Sequence, residues 1–181
     1  MLKLFVKYKS VLRFILIFLG SYFVLSLLYN WYLDVFRSEI YYPDYVTHMV
    51  ARQTEMLINS FGYSAQIEPH QYHLSMKLMI NDQYLAQIVE GCNAMSIMVL
   101  FIAFVLAFFG RFKTTLAFLL AGLVIIYSMN IIRIAVLSIG IYEFPQHTEF
   151  LHSIIFPLII YGTVFLLWIL WVYIYSKNQV R

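Results

Sequence analysis

Three residues stand out in apolar surroundings: Cys92, Arg133 and His152. A cysteine thiolate attacks carbonyls, a histidine exchanges protons near neutral pH, and an arginine offers a fixed positive charge to a developing oxyanion. Together they are the parts that acyl transfer requires. Each also has a plainer reading. Cys92 is the only cysteine, so no intrachain disulfide forms, and it is equally readable as an inert buried thiol at a helix start. With Asn93 as N-cap, the same helix start favours the thiolate. Arg133, nineteen residues beyond Thr114, has the reach of a snorkelling anchor, but the apolar run Ile134–Ile141 continues past it and places it below the rim. Asn130 lies three residues earlier on the same helical face and is placed to hold the guanidinium. His152 opens the last apolar stretch, five residues before Pro157, where a lone histidine also serves as an interfacial polar residue.

The remaining polar residues offer less. His147, Glu149 and His152 form an H-x-E-x-x-H spacing of metal-ligand types, which differs from the H-E-x-x-H helix signature. The reading therefore calls for no metal and no organic cofactor. His48, His70 and His73 have no evident partner.

The elements that must position these residues follow from composition. Of 181 residues, 62% are hydrophobic and 12% are charged, and the mean hydropathy is +0.79. A soluble domain carries about twice that charge, so a soluble globule and a disordered tail are both excluded. A net charge of +3 gives no argument for nucleic acid. Four stretches are long and apolar enough to cross a bilayer, at about 14–33, 91–110, 114–142 and 151–176. The expected fold class is an all-α polytopic bundle of four spans in one domain, with a small extracytoplasmic cap over residues 34–90. Within the cap, Val46, Met49, Val50, Met56, Leu57 and Phe61 recur at helical spacing after Pro43-Asp44, which predicts an amphipathic helix. Short β-prone runs around Asn81-Asp82 predict a hairpin over His73–Val89. Trp168, Trp171, Tyr173 and Tyr175, and Tyr29, Trp31 and Tyr32 at the other side, read as interfacial aromatic belts.

Orientation comes from the basic residues. Lys3, Lys7, Lys9, Arg13, Arg111, Lys113, Lys177 and Arg181 flank the spans on one side, while all nine acids fall in the two other loops with Arg37, Arg52 and Lys77. The positive-inside rule then puts both termini in the cytoplasm and Cys92, Arg133 and His152 on the extracytoplasmic side of an inner membrane. The first span exceeds a signal-peptide core and lacks a small-x-small cleavage site, so it reads as a retained anchor.

The sequences Glu90-Gly91-Cys92-Asn93-Ala94, Asn130-Ile131-Ile132-Arg133-Ile134 and Phe150-Leu151-His152 resemble the exosortase/archaeosortase family over roughly residues 80–162, closest to the short exosortase F subclass. The resemblance implies a membrane cysteine transpeptidase with Cys92 as nucleophile, Arg133 as its electrostatic partner and His152 as third member. It also implies exported substrates with a C-terminal signal of short motif, hydrophobic helix and basic tail, and an acceptor nucleophile in the envelope. The chain departs from the commoner Cys-Ser-Gly motif, with Asn93 and Ala94 in its last two places, and from the larger number of spans in many members. Two other classes of function fit the residues: a non-catalytic envelope scaffold with a structural Cys92, and a metal-dependent intramembrane protease built on His147, Glu149 and His152.

Overall fold

The computed structural model describes residues 8–36 and 41–179. Lys3, Lys7, Arg37, Glu39 and Arg181 of the charge pattern lie outside the described residues. Helix α1 (Lys9–Val35) is followed by α2 (Tyr45–Ser60), three strands β1 (Ala65–Pro69), β2 (Ser75–Ile80) and β3 (Gln83–Val89), and a single tight turn Glu90–Cys92. Then come α3 (Met95–Ala107), α4 (Phe112–Glu143), a short turn Pro145–His147 and a helical run that ends as α5 (Phe156–Gln179).

Three of these helical segments, α1, α4 and the run Pro145–Lys177, are long and apolar enough to cross a membrane. The stretch expected to span over 91–110 is different. Its helix keeps only the 13 residues Met95–Ala107, about 20 Å at 1.5 Å per residue, against a hydrocarbon core of about 30 Å. The chain leaves the helix at both ends: Ala94 sits in the left-handed region, and Phe108 turns toward Gly110.

The cap follows its predicted elements and adds one. Asp44 caps α2, its carboxylate accepting from the Val46 and Thr47 N–H groups at 3.0 and 3.1 Å. The buried residues Thr47, Val50, Ala51, Thr54 and Ile58 lie on one helical face. Asn81 and Asp82, with φ of 49° and 63°, make the two-residue turn that twists a hairpin correctly. The unforeseen β1 pairs antiparallel with β2, giving a sheet of order β1-β2-β3. Ala65, Ile67, Met76, Leu78, Ile80 and Ile88 then form one apolar face that packs on Val50, Ala51 and Ile58 of α2 and on Ile134 and Ala135 of α4. The cap is thus seated on the half of α4 that carries Arg133.

A second core, inside the bundle, joins Phe101 and Val105 of α3 to Ile126 of α4 and Ile160, Val164, Leu167 and Trp171 of α5. Two of the expected belt residues belong here. Trp171 is enclosed and stacks on Phe118 of α4 at 4.8 Å, and Trp168 stacks on Phe104 of α3 at 4.5 Å. Helix α1 buries none of its residues and meets α3 through Phe14 against Phe108 and Phe18 against Phe104.

At Gly122 the Phe101 side chain of α3 packs directly on the α4 backbone, since a Cβ there would overlap the enclosed ring. Gly122→Ala should lower stability by about 1–3 kcal/mol, the cost of overpacking, despite alanine's better helix propensity. Thermal unfolding in detergent micelles should show the Gly122→Ala, Phe101→Leu pair losing less than the sum of its single changes. Strict additivity would place the two residues out of contact.

Candidate active site

Strand β3 delivers the chain to Cys92. Val89 is extended, Glu90–Cys92 make one tight turn in which Asn93 N–H bonds Glu90 C=O at 3.4 Å, and Ala94 takes φ 62° before Met95 enters the helix. Cys92 therefore stands three residues ahead of the first helical residue, and the N-cap position falls to Ala94, one residue later than expected. The helix dipole acts within about one turn, so its hold on the thiol is weaker here than at a helix start. Asn93 still serves the helix. Its Oδ1 accepts from Met95 N–H at 2.9 Å, and its Nδ2 donates to the Tyr29 hydroxyl at 2.9 Å and to Thr47 Oγ1 at 3.1 Å. One enclosed amide thus ties the cysteine loop to α1 and α2.

Those bonds also bear on Ala94. A non-glycine residue in the left-handed region costs about 1–2 kcal/mol, and Ala94 is buried there. Glycine, which ends the Cys-Ser-Gly motif, adopts this conformation freely. This chain holds an alanine in it by fixing the preceding residue three ways.

Helix α4 supplies the other side. Asn130, fully enclosed, donates its Nδ2 to the Cys92 carbonyl oxygen at 2.7 Å. Its expected role was to hold the guanidinium. It grips the cysteine backbone instead, because that carbonyl, outside any helix, lacks an intrahelical donor. Arg133 is 5% exposed, with its Cζ 3.6 Å from the centroid of the Phe156 ring. Its Nε has no hydrogen-bond partner, and the only ion pair among the described residues is Arg52–Glu55, on α2. A side chain folded inward under an aromatic ring is not snorkelling to an interface.

His152 lies on a widened turn, Leu151–Ile155, ahead of α5. Pro157 has no N–H to offer the Ser153 carbonyl, and the wide turn accommodates that gap. The imidazole is exposed and stacks on Phe156, with centroids 5.4 Å apart and planes within 10°. No hydrogen bond joins it to Cys92 or Arg133 among the described residues; what it shares with Arg133 is the Phe156 ring. His147 and Glu149 are exposed, and they do not gather with His152 into a metal-holding group among the described residues. Phe156 escaped the sequence reading, although its spacing four residues after His152 puts both on one face. Tyr29, an interfacial aromatic by its place in the sequence, also accepts from the Asn93 amide.

The chain matches the family model described as transmembrane exosortase over residues 6–174. With three long apolar helices, that makes it an integral membrane protein. Comparison with curated proteins and with solved structures gives no match.

Strain at residue 94 sets the outcome of two substitutions. Ala94→Gly should leave stability nearly unchanged, because relief of about 1–2 kcal/mol of strain is offset by chain entropy and a lost buried methyl. Ala94→Val, β-branched at positive φ, should cost more than about 2 kcal/mol. Chemical denaturation of the two variants in micelles checks the contrast, and equal stabilities would mean that residue 94 is not held at positive φ.

Proposed function

We propose that this chain, which belongs to the transmembrane exosortase family, is a cysteine-type transpeptidase or peptidase that cleaves C-terminal sorting signals of exported proteins. The observation that carries this reading is a buried guanidinium without a carboxylate partner among the described residues, on the helix that also grips the Cys92 backbone. An unpaired buried charge is costly and is retained where it acts on something.

In the proposed reaction the Cys92 thiolate attacks a peptide carbonyl next to the substrate's hydrophobic helix. A C–S bond forms, and the carbonyl oxygen takes up negative charge facing Arg133. Collapse of the tetrahedral species breaks the C–N bond, and His152 protonates the departing amine. Exposure of its ring lets His152 exchange that proton with solvent. The resulting thioester passes its acyl group to an amine or other nucleophile of the envelope, with water as the poorer acceptor. This scheme uses no metal and no organic cofactor. The basic flanks support an orientation with both termini in the cytoplasm of an inner-membrane protein and Cys92 on the extracytoplasmic side, α3 with its flanking residues making the fourth crossing.

Cys92→Ser should accumulate in the membrane and leave substrate precursors uncleaved, because a serine hydroxyl does not form the easily ionised nucleophile. Arg133→Lys should lose at least about tenfold in processing while still inserting, since lysine cannot reproduce an oriented guanidinium; an anchoring role would make the change silent. His152→Gln should show a similar loss and His147→Gln none. Immunoblots of a precursor and its product read all four. Processing by Cys92→Ser at the normal rate would make the cysteine structural and favour a scaffold.

Topology is checked separately. Reporters fused at Gln179 and inserted within 60–66 should report cytoplasmic and extracytoplasmic locations respectively, and an inward-facing loop would overturn the orientation.

A further inference from the structure

On α4, two enclosed polar atoms have no hydrogen-bond partner among the described residues, Asn130 Oδ1 and Arg133 Nε, and Glu90 Oε1 in the cysteine turn is a third. Buried polar atoms are nearly always paired, and leaving one unpaired costs about 1–3 kcal/mol. The orientation of the Asn130 amide is fixed by its surroundings. At 2.7 Å from the Cys92 carbonyl oxygen only the NH2 end fits, so the oxygen is the end left over. Residues 130 and 133 are neighbours on one face of α4, with Cβ atoms about 5–6 Å apart.

The unmet pair consists of one acceptor and one donor. A carboxylate or phosphate would satisfy the arginine but oppose the asparagine oxygen. One extended peptide residue, whose own N–H and C=O point to the same side of the backbone, complements both. We propose that Asn130 Oδ1 is a substrate-binding acceptor: it takes the backbone N–H of the residue whose carbonyl Cys92 attacks, while Arg133 takes that carbonyl's oxygen. This assignment rests on the acyl-transfer reading of Cys92 and gives it a substrate requirement. The residue on the acyl side of the cleaved bond must carry an N–H, so proline, N-methyl and ester-linked residues are rejected there. Its side chain is not what Asn130 reads.

Labelling of the full chain in detergent micelles tests this without the natural substrate. The probes are acetyl-alanyl-alanyl chloromethyl ketone and the analogue in which an ester oxygen replaces the N–H nearest the ketone. In each, the Cys92 sulfur forms a bond to the methylene carbon and chloride leaves. Iodoacetamide reports thiol access without a peptide backbone. The wild-type protein should label about tenfold faster with the amide than with the ester, the effect of one unpaired acceptor. Asn130→Leu should bring the ratio near one. Tyr29→Phe, which loosens the Asn93 contact but leaves Asn130 in place, should keep the ratio even if both rates fall.

A wild-type ratio near one, or an Asn130→Leu ratio equal to wild type, overturns the assignment. If Cys92→Ser is inactive in processing in that case, Asn130 leaves the site and Cys92 stays. If iodoacetamide labels Cys92 and neither ketone does, no peptide site adjoins the thiol, and the acyl-transfer reading falls with it.

Discussion

The site depends on one hydrogen bond, from the Asn130 amide in α4 to the Cys92 carbonyl at 2.7 Å. Cys92 lies in an irregular turn between a strand and a short helix, where backbone geometry alone does not fix its depth. The bond ties that turn to α4 one helical turn from Arg133, so thiol and guanidinium are placed by the same rigid element. Asn93, the next residue, is fixed from the other side by Tyr29 and Thr47. Helix α1, which buries no residue of its own, thereby has a stake in the cysteine loop through a single hydroxyl.

Holding Arg133 inside the bundle has a cost that Phe156 and the cap partly offset. A guanidinium over an aromatic face gains about 2 kcal/mol when desolvated, and the apolar sheet face packs on Ile134 and Ala135 beside it. The same Phe156 ring stacks with His152. In consequence the guanidinium and the imidazole share one apolar support, and the wide turn at Leu151–Ile155 sets where that support begins.

Much of this was legible in the sequence. The amphipathic α2 declared itself through apolar spacing after Asp44, and the hairpin through Asn81-Asp82 between β-prone runs. Cys92, Arg133 and His152 were visible as polar types in apolar stretches. Other features depend on tertiary context. Strand β1 is five residues long and contains Glu68 and Pro69, so it has little pattern of its own and exists because β2 offers an edge. The late start of α3 rests on the left-handed Ala94, a conformation that alanine does not announce. Trp171 has the position of a belt residue, but stacking on Phe118 of α4 encloses it in the bundle core. Asn130 shares a face with Arg133, as its spacing requires, but the carbonyl that captures its amide belongs to a residue 38 positions away.

The central claim is that Cys92 carries the acyl group between cleavage and transfer. Intact-mass measurement on enzyme purified with its co-expressed substrate, and deprived of acceptor, tests it most directly. The account predicts an adduct at Cys92 that equals the mass of the cleaved acyl fragment, is released by neutral hydroxylamine and is absent from Cys92→Ala. Cleavage of substrate with Cys92 unmodified throughout, or an adduct that survives hydroxylamine, would contradict it.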